Sequence, residues 1–177
     1  MISSILNLDA GWTGFLYRLV PHNSFMNAFF LFFSQRGESI FIWVLFLLFL
    51  IIFEERRDKK FVVYFILSFI ISGLLVNVVV KNIVKRPRPV QTFASSSCPK
   101  DFSFPSGHAA AAFASAVIFS FFDKKRKYFY FGIAMLIAYS RIYLHCHYLF
   151  DVLGGAAFGS CISYLILRLF DRRHTYS

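Results

Sequence analysis

From residue 39 onward the chain alternates apolar runs with short charged links. Ser39 to Phe53 is uncharged, EERRDKK follows at 54–60, and Phe61 to Val80 is apolar up to Lys81. Pro87, Pro89 and Pro99 make a continuous helix implausible over 82–104, because each fixes φ and lacks an N–H. The runs resume at Pro105 to Phe122, with Pro105 expected in a first helical turn where its missing N–H costs nothing. After DKKRK at 123–127 come Tyr128 to Ser140 and Val152 to Leu167, then the tail DRRHTYS. The pattern predicts an all-α, polytopic membrane bundle with five spans. The opening of the third run, HAAAAFASA, has little side-chain bulk and should let neighbouring helices approach closely.

Residues 1–36 read differently. Met1 to Val20 mixes Leu, Ile, Trp and Phe with Asp9 and Arg18, which suits a helix lying along a membrane surface. Residues 25–33 are apolar except for Asn27, but nine helical residues rise only ~13 Å against a hydrocarbon layer of ~30 Å. An interfacial or re-entrant helix is expected here, with a shortened span as the alternative. No basic n-region precedes a small-residue cleavage site, so no cleaved signal peptide is expected. The expected organisation is therefore 1–36 interfacial or re-entrant, 37–170 transmembrane and 171–177 a cytoplasmic tail.

The order of charged edges says more than the number of spans. Lys81 follows a span, His108 opens one, Arg141 follows one and Asp151 opens the last. In a chain that reverses at each crossing, these four positions emerge on one face. The links at 54–60 and 123–127 and the tail, with four, four and two Lys or Arg, emerge on the other. Basic residues in short links favour the cytoplasm, so the motif face is expected to be extracytoplasmic.

Composition supports the membrane reading. Of 177 residues 58% are hydrophobic and 16% charged, with a mean hydropathy of +0.60. A soluble domain devotes about a quarter of its residues to charge. The net charge of +10 sits in short blocks between apolar runs rather than in a stripe beside exposed aromatics, which argues against nucleic acid. Cys98, Cys146 and Cys161 lack metal-site spacing. The first two fall on one predicted side of the membrane, where an oxidising compartment would allow a bridge; free thiols are the simpler reading.

Three polar clusters remain. Lys81, Arg88 and Arg141 come from different segments that the alternation brings to one place. Converging cations exceed what snorkelling to headgroups requires and match a phosphoryl group, whose oxygens accept charge-assisted hydrogen bonds. For Lys85 and Arg86, snorkelling is an equal alternative. Ser106 and Gly107 open a helix, where unpaired N–H groups and the positive end of the dipole favour anions. His108 and His147 approach from different helices, which allows one to attack phosphorus and the other to protonate the departing oxygen. Asp151, four residues after His147, falls on the same side if the helix begins before His147; it would then accept the proton on one ring nitrogen and leave the other for substrate. His145 falls on another face. Zinc on His145, His147 and Asp151 is the alternative, disfavoured by the surrounding cations and the scarcity of acidic ligands.

These motifs resemble those of the type 2 phosphatidic acid phosphatase superfamily of membrane lipid phosphatases. Lys81, six residues and Arg88-Pro89 match its first part, Pro105-Ser106-Gly107-His108 its second, and Ser140-Arg141, His147 and Asp151 its third. The resemblance covers roughly residues 39–170. It implies a bundle of six helices, a phosphohistidine formed on His147 with support from Asp151, and His108 as acid and then base. It further implies phosphoryl binding by Lys81, Arg88, Arg141, Ser106 and the Gly107 N–H, with no metal or cofactor. Gly is common just before the position of His147, and Pro often follows the motif tyrosine; here they are His145, Cys146 and Leu149, departures that bear on the rim of the pocket.

A site at a membrane edge favours a lipid whose tail stays in the bilayer. Undecaprenyl diphosphate is preferred, with phosphatidylglycerol phosphate and phosphatidic acid as alternatives, and phosphotransfer to a second lipid would need the same residues. A haloperoxidase is disfavoured by the spans. A small transporter would place its charges along a mid-membrane path rather than at one set of helix ends, and a structural protein has no use for both histidines and Asp151.

Overall fold

The computed structural model describes residues 2–34, 43–45, 48, 59–89 and 98–170. Among them every regular element is helical. In chain order these are α1 (Ile2–Arg18), α2 (Ser24–Ser34), α3 (Lys60–Val84), α4 (Gly107–Phe122), α5 (Lys127–Tyr143) and α6 (Leu149–Phe170). Residues 43–45 are helical as well, but most of the expected span at Ser39 to Phe53, most of the 54–60 link and the tail lie outside the described residues.

Two helices among those described, α3 with 25 residues and α6 with 22, are long and apolar enough to cross a bilayer. Ser24–Ser34 and Gly107–Phe122 are apolar but shorter. Several boundaries differ from the expected ones, each for a local reason. α3 runs past Val80 through a π-helical stretch, Leu75–Val80, so that Lys81 lies inside the helix. α4 starts at Gly107 rather than Pro105: Ser106 is extended, and its hydroxyl caps the helix by accepting from the Ala109 N–H at 3.4 Å. α5 continues beyond Ser140 to Tyr143, which puts Arg141 in its last turn.

Close approach of α4 and α6 sets the frame. Ala109, Ala110, Ala112, Ala114 and Ala116 on α4 are buried, as their small size suggested. The matching feature on α6 is glycine. A Cβ on Gly155 would collide with the Ser106 carbonyl, and one on Gly159 with the Ala110 carbonyl. α3 joins them through Ser68 and Ser163, whose hydroxyls are 2.5 Å apart. In a bilayer such packing, rather than exclusion of water, holds helices together. Toward the other end Phe119 packs on Trp43, Phe61, Phe65 and Tyr130, with ring centroids 5.1 to 5.6 Å away. α1 and α2 attach to α5 through the hydroxyls of Tyr139, which donates to the Leu16 carbonyl at 2.9 Å, and Tyr143, which donates to Asn27 Oδ1 at 2.7 Å.

Candidate active site

The C-terminal ends of α3 and α5 and the N-terminal ends of α4 and α6 carry the polar clusters. α3 ends when Lys85 turns left-handed (φ 51°) and donates its N–H to the Lys81 carbonyl at 2.9 Å. Lys81 is buried, with Nζ 2.5 Å from Asp101 Oδ2. Arg88 returns to the same carboxylate, with Nη2 2.5 Å from Oδ1, and its Nε donates to the Asp101 carbonyl at 2.8 Å. Asp101 thus clamps the two cations of the first motif. Burial would raise its carboxyl, but hydrogen bonds from Lys81 and Arg88 outweigh that and hold it below the ordinary 3.8. The sequence offers one signal for it: Asp101 is the only acid between Arg88 and His108.

The second motif is tied to the third by the Ser106 N–H, which donates to the Asp151 carbonyl at 2.9 Å. Because the Ser106 hydroxyl faces the Ala109 N–H, its local role is to cap α4. Gly107 opens the first turn, where backbone N–H groups have no intrahelical partner. A side chain there would meet Asn77 of α3. His108 follows in the same turn, within the field of the cations Arg141, Lys81 and Arg88.

The third motif is shaped by the end of α5. The Cys146 N–H donates to the Arg141 carbonyl at 3.0 Å and the His145 N–H to the Ile142 carbonyl at 2.8 Å, with His145 left-handed at φ 56°. This is a Schellman cap, with histidine in the position that glycine usually fills. His147 therefore lies in the connecting loop and α6 begins only at Leu149, so the expected helical i,i+4 relation between His147 and Asp151 does not hold. The loop still brings them close, with Nδ1 3.6 Å from Asp151 Oδ2, a separation too long for a hydrogen bond. Asp151 is instead held by the Tyr148 N–H on Oδ2 at 2.9 Å and by Arg86 Nη1 on Oδ1 at 2.7 Å.

The tautomer of His147 follows from its other neighbour. Arg88 Nη1 lies 3.0 Å from Nε2, and a guanidinium only donates. Nε2 must therefore accept, which leaves the ring proton on Nδ1, toward Asp151. Burial, then the charges of Arg141, Arg88 and Lys81, push His147 well below the ordinary 6.5, so the imidazole stays neutral and Nε2 stays unprotonated. Cys98 and Cys146 form a disulfide that joins the loop before α4 to the His147 loop. Arg88 Nη1 also donates to the Cys146 carbonyl at 2.7 Å.

Arg141 is fully buried. Its Nη1 donates to the Ser34 carbonyl at 2.9 Å and contacts the Ser34 hydroxyl, while Nε and Nη2 find no hydrogen-bond partner among the described residues. An unpaired buried polar group costs about 1–3 kcal/mol, and more when charged. Two guanidinium donors kept at that cost beside His147, Arg88 and Lys81 suit an anion with several acceptor oxygens. His145 points elsewhere, its ring 4.8 Å from that of Tyr17 on α1. Among the described residues no group of three or more His, Cys, Asp or Glu is placed to hold a metal ion. Asp9 joins the site without having been expected, and Arg86, for which snorkelling was an equal alternative, pairs with it: Arg86 Nη2 is 2.7 Å from Asp9 Oδ2.

The sequence profile of the PAP2 superfamily matches residues 61–175, more than half of the chain. The chain belongs to the PAP2 superfamily. It is a phosphatase of that family. An undecaprenyl-diphosphatase of Sulfolobus acidocaldarius is 30% identical over 169 residues, covering 91% of this chain and 80% of the relative. Among solved structures, Aquifex aeolicus LpxE superposes with a TM-score of 0.73 at 29% identity, covering 91% of this chain and 95% of that one. A transmembrane PAP2-type phosphatidylglycerolphosphate phosphatase from Bacillus subtilis superposes with a TM-score of 0.71 at 25% identity, covering 96% and 87%.

Proposed function

We propose that the protein hydrolyses a membrane lipid phosphate by way of a phosphohistidine on His147, and that undecaprenyl diphosphate, converted to undecaprenyl phosphate, is its substrate. The observation that carries this reading is the unprotonated Nε2 of His147 facing Arg88 beside the spare donors of Arg141. Nε2 attacks the terminal phosphorus and the bond to the bridging oxygen breaks. Lys81, Arg88 and Arg141, with the Gly107 N–H, balance the charge on the phosphoryl oxygens, and Ser106 sets the helix end that presents that N–H. His108 gives the departing oxygen its proton, then takes one from the water that cleaves the phosphoenzyme. Asp151 favours the imidazolium-like state of His147 through its charge. The mechanism uses neither metal nor cofactor.

Membrane residence supports a lipid substrate. Five to six spans are proposed, α3 and α6 among them, with the N-terminal segment 1–36 interfacial or re-entrant. The basic links favour a site outside the cytoplasm, and the Cys98–Cys146 disulfide suits an oxidising compartment. The undecaprenyl diphosphate assignment rests on similarity to the Sulfolobus relative. Phosphatidylglycerol phosphate is the second reading, favoured by similarity to the Bacillus subtilis structure. Phosphatidic acid, and phosphotransfer to an acceptor lipid, use the same residues.

The test is phosphate release by purified protein in detergent with EDTA, on the three lipids in parallel. Release that survives EDTA and is highest on undecaprenyl diphosphate is expected. Release that needs a divalent ion would overturn the mechanism, and a clear preference for phosphatidylglycerol phosphate would overturn the substrate.

A further inference from the structure

α1 presents two unlike faces. Ile5, Leu8, Trp12 and Phe15 are about half exposed, whereas Asp9 and Thr13, one helical turn apart and about a quarter turn around the helix from that stripe, are buried. Those two polar groups meet the first turn of α6. Asp9 Oδ1 accepts from the Phe150 N–H and Thr13 Oγ1 from the Leu149 N–H, both at 2.9 Å. These are two of the four N–H groups that a helix start leaves without an internal partner. Capping normally comes from the residue preceding the helix; here another helix, more than a hundred residues earlier in the chain, supplies it.

The second oxygen of Asp9 extends the contact to the catalytic centre. It pairs with Arg86 Nη2 at 2.7 Å, and Arg86 Nη1 pairs with Asp151 Oδ1, also at 2.7 Å. Asp9 and Asp151 are fully buried, and the Arg86 guanidinium lies 4.0 Å from the Tyr148 ring centroid. One guanidinium is thus shared by two carboxylates. Asp9 thus shares the charge of Arg86 with Asp151, whose other oxygen lies 3.6 Å from the His147 ring.

We propose that α1 is a positioning element of the catalytic centre: Asp9 and Thr13 cap α6 from outside, and Asp9 with Arg86 sets the place and charge of Asp151. The proposal rests on the reading of His147 as nucleophile. Asp9, Thr13 and Arg86 act through Asp151, so their loss should slow the chemical step without weakening hold of the phosphate. Thr13 contributes to the cap alone. Asp9 contributes to both.

The experiment pairs steady-state kinetics with hydrogen exchange on full-length protein in detergent. Asp9→Asn should lower kcat roughly tenfold, a coupling of the size found between contacting residues, with KM within about twofold. Arg86→Gln strands the Asp9 carboxylate in a buried site and should cost more than Asp9→Asn. Combining the two substitutions should recover rate relative to Arg86→Gln, an outcome that mere loss of packing would not produce. Exchange at the Leu149 and Phe150 amides should quicken in Asp9→Ala and Thr13→Val, whatever lipid the enzyme prefers. Wild-type kcat in Asp9→Asn, a rise in KM at unchanged kcat, or unchanged exchange at those amides would overturn the proposal. The mechanism of His147 would stand in each of those cases, whereas full activity of His147→Ala would remove that mechanism while the exchange result still judged the cap.

Discussion

The two ends of the helix bundle treat buried charge in opposite ways. Beyond the Phe119 cluster, Asp123 accepts from the Tyr130 hydroxyl at 2.6 Å and from Arg126 at 3.0 Å, while Lys124 and Lys125 stand exposed. That end is closed: the carboxylate is neutralised by neighbours on its own connection and helix. At the motif end, cations from three segments and two histidines face one another. Asp101 and Asp151 serve as clamps there, and donors of Arg141 are left over. A polar cluster that satisfies itself stabilises a helix connection, whereas one that keeps unsatisfied donors beside a neutral imidazole is arranged for a ligand.

The contrast sharpens into expected differences between variants. Arg141→Lys keeps a charge but loses the planar fork, and kcat/KM should fall roughly 100-fold to 1000-fold, the cost of removing an oxyanion donor, in phosphate-release assays. Asp123→Asn at the other end should leave kcat/KM unchanged while lowering stability by about 1–3 kcal/mol, read as an earlier melting transition in detergent. Equal effects of the two substitutions on turnover would erase the distinction between the ends.

A smaller effect concerns pH. His147 sits below the ordinary 6.5, so its ring stays neutral as pH falls through that value, and the acid limb of kcat/KM should lie below pH 6.5. A limb at or above the ordinary value would contradict the buried, cation-flanked setting. The smallest effect is expected for His145→Gly. The left-handed backbone favours glycine by about 1–2 kcal/mol, the lost contact with Tyr17 works against it, and stability should move by less than about 1 kcal/mol with activity retained.

Much of the site was legible because its signals are local. Ser106 followed by an alanine run marks a helix start, and Lys81, Arg88, His108 and Arg141 stand at edges of apolar runs that alternation carries to one face. The placement of His147 was not legible as a helical pair with Asp151, since the Schellman turn that moves it into a loop uses His145 where a glycine would have announced it. Asp9 was hidden differently. A single acid in an apolar N-terminal helix resembles a solvated face, and only tertiary contact with Phe150 and Arg86 gives it a role. The same holds for Ser34, whose partnership with Arg141 spans 107 residues. Glycines 155 and 159 likewise acquire meaning only from the α4 carbonyls they face.

The central claim is that His147 Nε2 takes the phosphoryl group, and rapid acid-free quenching of a single turnover tests it most directly. With undecaprenyl diphosphate labelled in its terminal phosphate, label should appear transiently on the protein, be lost in acid and survive base, map to His147 and be absent from His147→Ala. Turnover at the wild-type rate with label on no residue, or with label on a residue other than His147, would contradict it.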